Sequence, residues 1–390
     1  MKYDPNSYLI LESSSVRNRL LAIGIIGLVL SAVGYFVDSQ QFFHSYLVGF
    51  AFWSIISLGG LFFVLMHHLT GAVWSIVVRR IAEAVMISLP LMFIFFIPIA
   101  LFGIHDLYHW SDVAHHDHLL AWKAPYLNST FFIIRTTLYF LIWYVLAAKL
   151  YKLSINQTGH DDKIKMRFTA AWGTVVFALT FTFASFDWLM SLEPHWYSTI
   201  YGVYIFGGAY LTFIAFLLVI IMFLQHNGIL KNEISKEHYH DLGKLAFGFT
   251  VFWAYIAGSQ YFLIWYSNIP EETIWFHQRW AGTWKHLSIV MMVGHFLIPF
   301  VILLFHAAKR NGPVLRMLAL LLILMHWVDL YWNVMPTLHH DGVHFSWMDA
   351  TTLLGIGGIF LAYFWYKLSS NPVLPTHDPE LAKSIKFVNQ

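Results

Sequence analysis

The chain has 390 residues, of which 58% are hydrophobic and only 11% charged, against roughly 25% charged residues in an ordinary soluble domain. Such an excess of apolar side chains excludes a water-soluble fold and makes the membrane span the unit of organisation. The formal net charge of +2 and the absence of Cys exclude a continuous basic face for nucleic acid, disulfides, thiolate metal sites, Cys-ligated iron–sulfur clusters and covalent c-type haem.

Ten apolar runs follow in chain order, each near the ~20 residues a bilayer requires. They are Leu20 to Val37, Phe42 to Met66, Ile81 to Ile104, Thr130 to Leu150, Phe168 to Met190, Ile200 to Leu224, Leu245 to Tyr266, His286 to Ala308, Pro313 to Trp332 and Met348 to Tyr366. The first is too long for the apolar core of a signal peptide and no small-residue cleavage site follows it, so it reads as a retained helix. The expected fold is therefore all-α, a polytopic membrane protein with about ten transmembrane helices. Pro90, Pro98 and Pro299 lie inside runs and are expected to kink them.

Basic residues fall on alternate sides of these runs. Arg79 with Arg80, Lys163 with Lys165 and Arg167, and Lys309 with Arg310 share the side of the N-terminus, whereas the opposite loops hold only Lys123, Arg279 and Lys285. The positive-inside rule then makes both termini cytoplasmic. The opposite loops are rich in His and acids instead: His105, Asp106, His109, Asp112, His115, His116, Asp117 and His118, then Glu193 and His195, Glu271 and Glu272, and finally His339, His340, Asp341 and His344. No ligand set is fixed there by helical spacing, so these loops read as polar caps that dock a partner, with no metal or haem expected on this chain.

Ionisable groups inside apolar runs are costly, and they either pair with each other or line a pathway. Glu83 lies near the inner end of the third run, while Arg135, Asp187 and Asp329 lie in the outer halves of the fourth, fifth and ninth. His326 shares a helix face with Asp329 three residues later. His295 falls near mid-membrane in the eighth run and His306 near its inner end. One reading is plain packing, with Arg135 paired to Asp187 or Asp329 and the histidines bonded to backbone carbonyls. The other is a pair of proton half-paths, Glu83 and His306 inside and Asp187, His326 and Asp329 outside. These approach each other near His295, with Thr180, Thr182, Gln260 and Tyr261 as intermediate groups.

Four stretches carry a family resemblance: Phe186 through Thr199 (FDWLMSLEPHWYST), Tyr126 through Asn128 leading by Phe131 and Phe132 to Arg135, Gln260 through Thr273 (QYFLIWYSNIPEET), and Val328 through Trp332 with Pro336. Over essentially its whole length the chain resembles a membrane subunit of bacterial Alternative Complex III, the quinol:cytochrome c oxidoreductase. It is most similar to the shorter, ActF-like member of that complex's two paralogous ten-helix subunits, which are of the polysulfide-reductase (NrfD-like) type. The resemblance implies two four-helix bundles, over residues 42–190 and 191–332. Residues 1–41 would form the N-terminus and first flanking helix, and residues 333–390 an outer loop, the second flanking helix and a cytoplasmic tail. It also implies a bacterial cytoplasmic membrane and a subunit with no cofactor of its own that is not catalytic alone. Quinol would bind in the paralogous subunit, with clusters on an iron–sulfur subunit and haem c on multihaem and monohaem cytochrome subunits. A secondary transporter or a haem-bearing membrane cytochrome are the alternatives.

Overall fold

Apolar segments in hydrocarbon must satisfy every backbone N–H and C=O within themselves, which leaves the helix as the solution for a chain without barrel patterning. The computed structural model, which describes residues 3–10, 13–112 and 117–389, is 81% helical, with no strand among the described residues. Ten helices are long and apolar enough to cross a membrane: α1 (Ser14–Val37), α2 (Ser39–Thr70), α3 (Ile76–Leu107), α4 (Ser129–Ile155), α5 (His160–Leu192), α6 (Tyr201–His226), α7 (Lys236–Ser267), α8 (Trp284–Leu304), α9 (Gly312–Thr337) and α10 (Trp347–Ser369). The chain is an all-α, multi-pass membrane protein. Its two ends are called here the terminal end, where the backbone N–H of Val373 donates to the carbonyl of Tyr8 at 3.0 Å, and the far end.

Most spans outrun their apolar cores because polar caps extend them. Asp38 opens α2 by accepting from Gln41 N at 3.0 Å, Asn128 opens α4 by accepting from Phe131 N at 2.9 Å, and Ser235 opens α7 ten residues before the apolar run begins. The prolines act locally. Pro90 opens a fresh helical segment after a turn at Ile87 and Ser88, Pro98 precedes a π-helical stretch at Ile99–Gly103, and Pro299 follows another at Met292–Leu297.

Helices α2 to α5 form one four-helix bundle and α6 to α9 a second, joined through α2 and α6, the most deeply buried helices. Helices α1 and α10 flank them, packed tightly on each other and, through α10, on α2. The outer faces carry large apolar side chains such as Ile26, Val29, Phe36, Leu138 and Val175, as surfaces facing lipid require. Small residues set the α1–α10 contact. A Cβ added to Gly27 would lie 2.6 Å from Gly355 Cα, and one on Gly358 would lie 2.3 Å from Gly24 N, so the two backbones touch.

This contact yields the first prediction. Gly27→Val forces backbone against backbone and is expected to cost about 1–3 kcal/mol of stability, read as a lower unfolding midpoint in detergent. Gly248→Ala, at a helical glycine with nothing within 4 Å of the added Cβ, is expected to leave the midpoint unchanged or raise it.

Candidate functional site

The first bundle holds a complete ion pair. Asn128 fixes the start of α4, which places Arg135 two turns in, opposite Asp187 near the end of α5. The guanidinium meets the carboxylate as a fork, Nε to Oδ2 at 2.9 Å and Nη2 to Oδ1 at 2.7 Å. Nη1 donates to the Tyr126 carbonyl at 2.8 Å, the Tyr139 hydroxyl donates to Asp187 Oδ2 at 2.8 Å, and the Tyr126 ring lies 3.7 Å beneath the charge. Both charged side chains are buried. Of the two carboxylates that the sequence offers Arg135, it takes Asp187. Thr180 and Thr182 of the same bundle serve their own helix, donating to Val176 O and Ala178 O at 2.8 Å each, while Trp143 Nε1 donates to Thr180 Oγ1 at 2.8 Å.

The second bundle places an aspartate at similar depth and treats it differently. Asp329 of α9 accepts from the Tyr204 hydroxyl of α6, from Trp253 Nε1 of α7 at 3.2 Å and from Asn333 Nδ2 at 3.2 Å. Tyr201 extends the network by donating to Asn333 Oδ1 at 3.0 Å. No Lys or Arg salt bridge reaches Asp329 among the described residues; the nearest histidine is His326, whose Nδ1 lies 3.6 Å from Oδ2. His295, at the middle of α8, faces both: its ring centroid lies 4.0 Å from that of Trp253 and 6.1 Å from that of His326. Both histidines are fully buried, and none of their four ring nitrogens has a hydrogen-bond partner among the described residues. The expected bonds to backbone carbonyls are thus not formed at either residue.

Glu83 belongs to a third cluster, at the terminal end of the first bundle. Arg80 Nη1 lies 2.9 Å from Glu83 Oε2, and Arg79 Nε lies 3.3 Å from Oε1. The chain after α10 completes the cluster by supplying Asp378, which binds Arg79 Nη1 at 3.0 Å and Lys163 Nζ at 2.9 Å. Ser384 pins this segment by donating to Trp74 O at 2.9 Å. Burial of Asp378 opposes its ionisation, but Arg79, the Glu380 backbone N–H and Lys163 outweigh it and hold the carboxyl below its usual range.

The structure therefore distributes the sequence-selected residues over separate centres. Asp329, His326 and His295 come together, whereas Asp187 belongs to the other bundle with Arg135. Glu83 and His306 do not meet. His306 lies beyond the end of α8, exposed, with its ring 4.6 Å from His240. Gln260 accepts from Ser198 Oγ at 3.0 Å, and Tyr261 packs edge-on against Phe276.

Sequence reasoning missed Tyr204, Asn333, Asp378 and, most clearly, Arg279. Counted as a loop cation, Arg279 is fully buried on the short helix Pro270–Trp280, with Nε on Trp332 O at 3.2 Å, Nη2 on Asn333 O at 2.9 Å and Nη1 3.3 Å from Glu193 Oε1. Its available signal is Trp275, one turn earlier, whose ring lies 3.6 Å from the guanidinium. Glu193 also lines a far-end cavity of about 560 Å³ with His44, His105, Asp106, His195 and His340. Beyond the cavity wall, the hydrogen bond from His195, with help from the backbone N–H of Leu120, holds Asp117 below the usual carboxylate range. Among the described residues no three His, Asp or Glu side chains converge as a metal-binding group. His115 and His116 lie outside the described residues. In comparisons with known proteins the chain matches no family model and no curated protein.

Two predictions follow from these clusters. Asp187→Asn leaves the buried Arg135 charge uncompensated and is expected to cost about 3–5 kcal/mol, whereas the double change Arg135→Met with Asp187→Leu recovers most of that loss; unfolding midpoints of the three variants check it. Because the folded-state pKa of Asp378 is depressed, its contribution is fully present above the ordinary aspartate value of about 4 and is lost as pH falls through the folded value. The unfolding midpoint should hold steady from about pH 7 to 5 and decline below about 4, with a smaller decline in Asp378→Asn.

Proposed function

We propose that the chain is an integral membrane subunit of a quinol:cytochrome c oxidoreductase of the Alternative Complex III type. In this reading it is a scaffold without a redox group of its own, and the second bundle provides one half of a proton path. It lies in a bacterial cytoplasmic membrane with both termini cytoplasmic. Its companions are a paralogous NrfD-like subunit, an iron–sulfur subunit, and multihaem and monohaem cytochromes c.

The local motifs support the assignment to the complex. The observation that carries the proton reading is the buried His295, His326 and Asp329 group, in which four ring nitrogens lack protein partners. Histidines kept only for packing would have those nitrogens satisfied; groups that pass protons through intervening water need them free. From His295 the path runs outward through His326, Asp329, Tyr204, Asn333 and Tyr201 towards the far-end cavity that Glu193 lines. On the terminal side of His295 no described hydrogen bond links it to His306. An inner half-path would start instead from the Glu83 cluster of the first bundle.

A secondary transporter is the second reading. It draws on the π-helical interruptions of α3 and α8, but both helices run on through them rather than unwinding.

Extraction in mild detergent separates the two readings. Co-purification with haem c and iron–sulfur chains is expected, and recovery as a lone chain would overturn the assignment. In the assembled complex, Asp329→Asn and Glu83→Gln are each expected to lower protons translocated per electron while quinol oxidation continues. Unchanged translocation in both variants would remove the proton path and leave the scaffold.

A further inference from the structure

At the terminal end a cleft of about 250 Å³ opens where α2 stops and α3 and α5 begin, with His68, Arg79, His160, Lys163, Arg167 and Glu380 on its walls. We propose that this cleft holds the phosphate of an anionic phospholipid. Its charge favours an anion. Arg79 and Lys163 are already tied to Asp378, but Arg167 has no ion pair or hydrogen bond among the described residues, and Glu380 is the cleft's one acid. On another wall, the Nε2 atom of His68 is buried without a hydrogen-bond partner. Together they set an uncommitted guanidinium and an unpartnered imidazole, from different helices, around the cleft, surroundings that suit a phosphate with several acceptor oxygens.

Depth and surroundings point to a lipid as the source of that phosphate. The cleft lies at the level where Thr70 ends α2, Ile76 begins α3 and His160 begins α5, which is where headgroups sit and where basic pockets between helices capture them. From its mouth, Ile164 and Phe168 run down the outer face of α5 one turn apart, 57% and 71% exposed, with Trp172 on the next turn. That stripe gives an acyl chain an apolar track directly below the phosphate, a feature that a free phosphate ion would not use.

The test takes the purified full-length chain, stripped of lipid. It is titrated in separate arms with phosphatidylglycerol, phosphatidylcholine and inorganic phosphate, and followed by native mass spectrometry and unfolding midpoint. One phosphatidylglycerol is expected to be retained in preference to phosphatidylcholine and to raise the midpoint. Arg167→Gln should weaken retention about fivefold, as expected for one cation at a headgroup, and His68→Gln should weaken it further. Lys231→Gln removes the same charge from an exposed position that is not on the cleft wall and should change nothing. Equal retention of the two lipids, or equal effects of Arg167→Gln and Lys231→Gln, would overturn the site. Stabilisation by inorganic phosphate matching that by phosphatidylglycerol would overturn the lipid and leave a free-anion site.

Discussion

Inside hydrocarbon a polar group has no water to fall back on, so each must find its complement within the protein. The rest of the molecule is arranged around the three ways this chain meets that demand. Arg135 and Asp187 neutralise each other as a fork. Glu83 sits between two arginines whose surplus charge is taken up by Asp378, more than 290 positions later in the chain. Asp329 is held by neutral donors and one histidine. A buried ion pair adds little net stability over a well-packed apolar pair. The first solution therefore chiefly fixes how α4 and α5 sit against each other.

The two aspartates make an instructive pair. Each lies near the far end of the fourth helix of its bundle, and each accepts a tyrosine hydroxyl, from Tyr139 for Asp187 and Tyr204 for Asp329. What separates them is the cation. Asp187 is gripped by the two-pronged fork of Arg135, whereas Asp329 has neutral donors and the His326 ring 3.6 Å away. The same plan thus gives a clasp in one bundle and a carboxyl held without an arginine in the other.

Spans, interruptions at proline and Arg135 were legible in the sequence, because each is a departure from apolarity at a spacing that helical geometry dictates. Asp187 was legible for the same reason. Tyr204 and Asn333 were not, since Tyr and Asn inside an apolar run carry no distinguishing signal until the fold shows which side chain faces Asp329. Asp378 escaped because it lies in a polar stretch where nothing marks burial. Arg279 escaped because the loop rule counts cations by position and is blind to a short helix that folds one back onto Trp275 and Trp332. Local chemistry was readable; partnerships across long sequence separations were not.

The π-helical stretch at Met292–Leu297 gives His295 its neighbours by arithmetic. A π-turn accommodates one residue more than the α-turn it replaces. Removing any single residue between 292 and 297 would let the stretch return to regular winding, shortening α8 by only ~1.5 Å while the halves on either side keep the faces they present. The change would fall on the residues inside the stretch, His295 among them, whose placement against Trp253 and His326 belongs to the wider turn. The composition of the mid-membrane core therefore depends on a count of residues as much as on their identity.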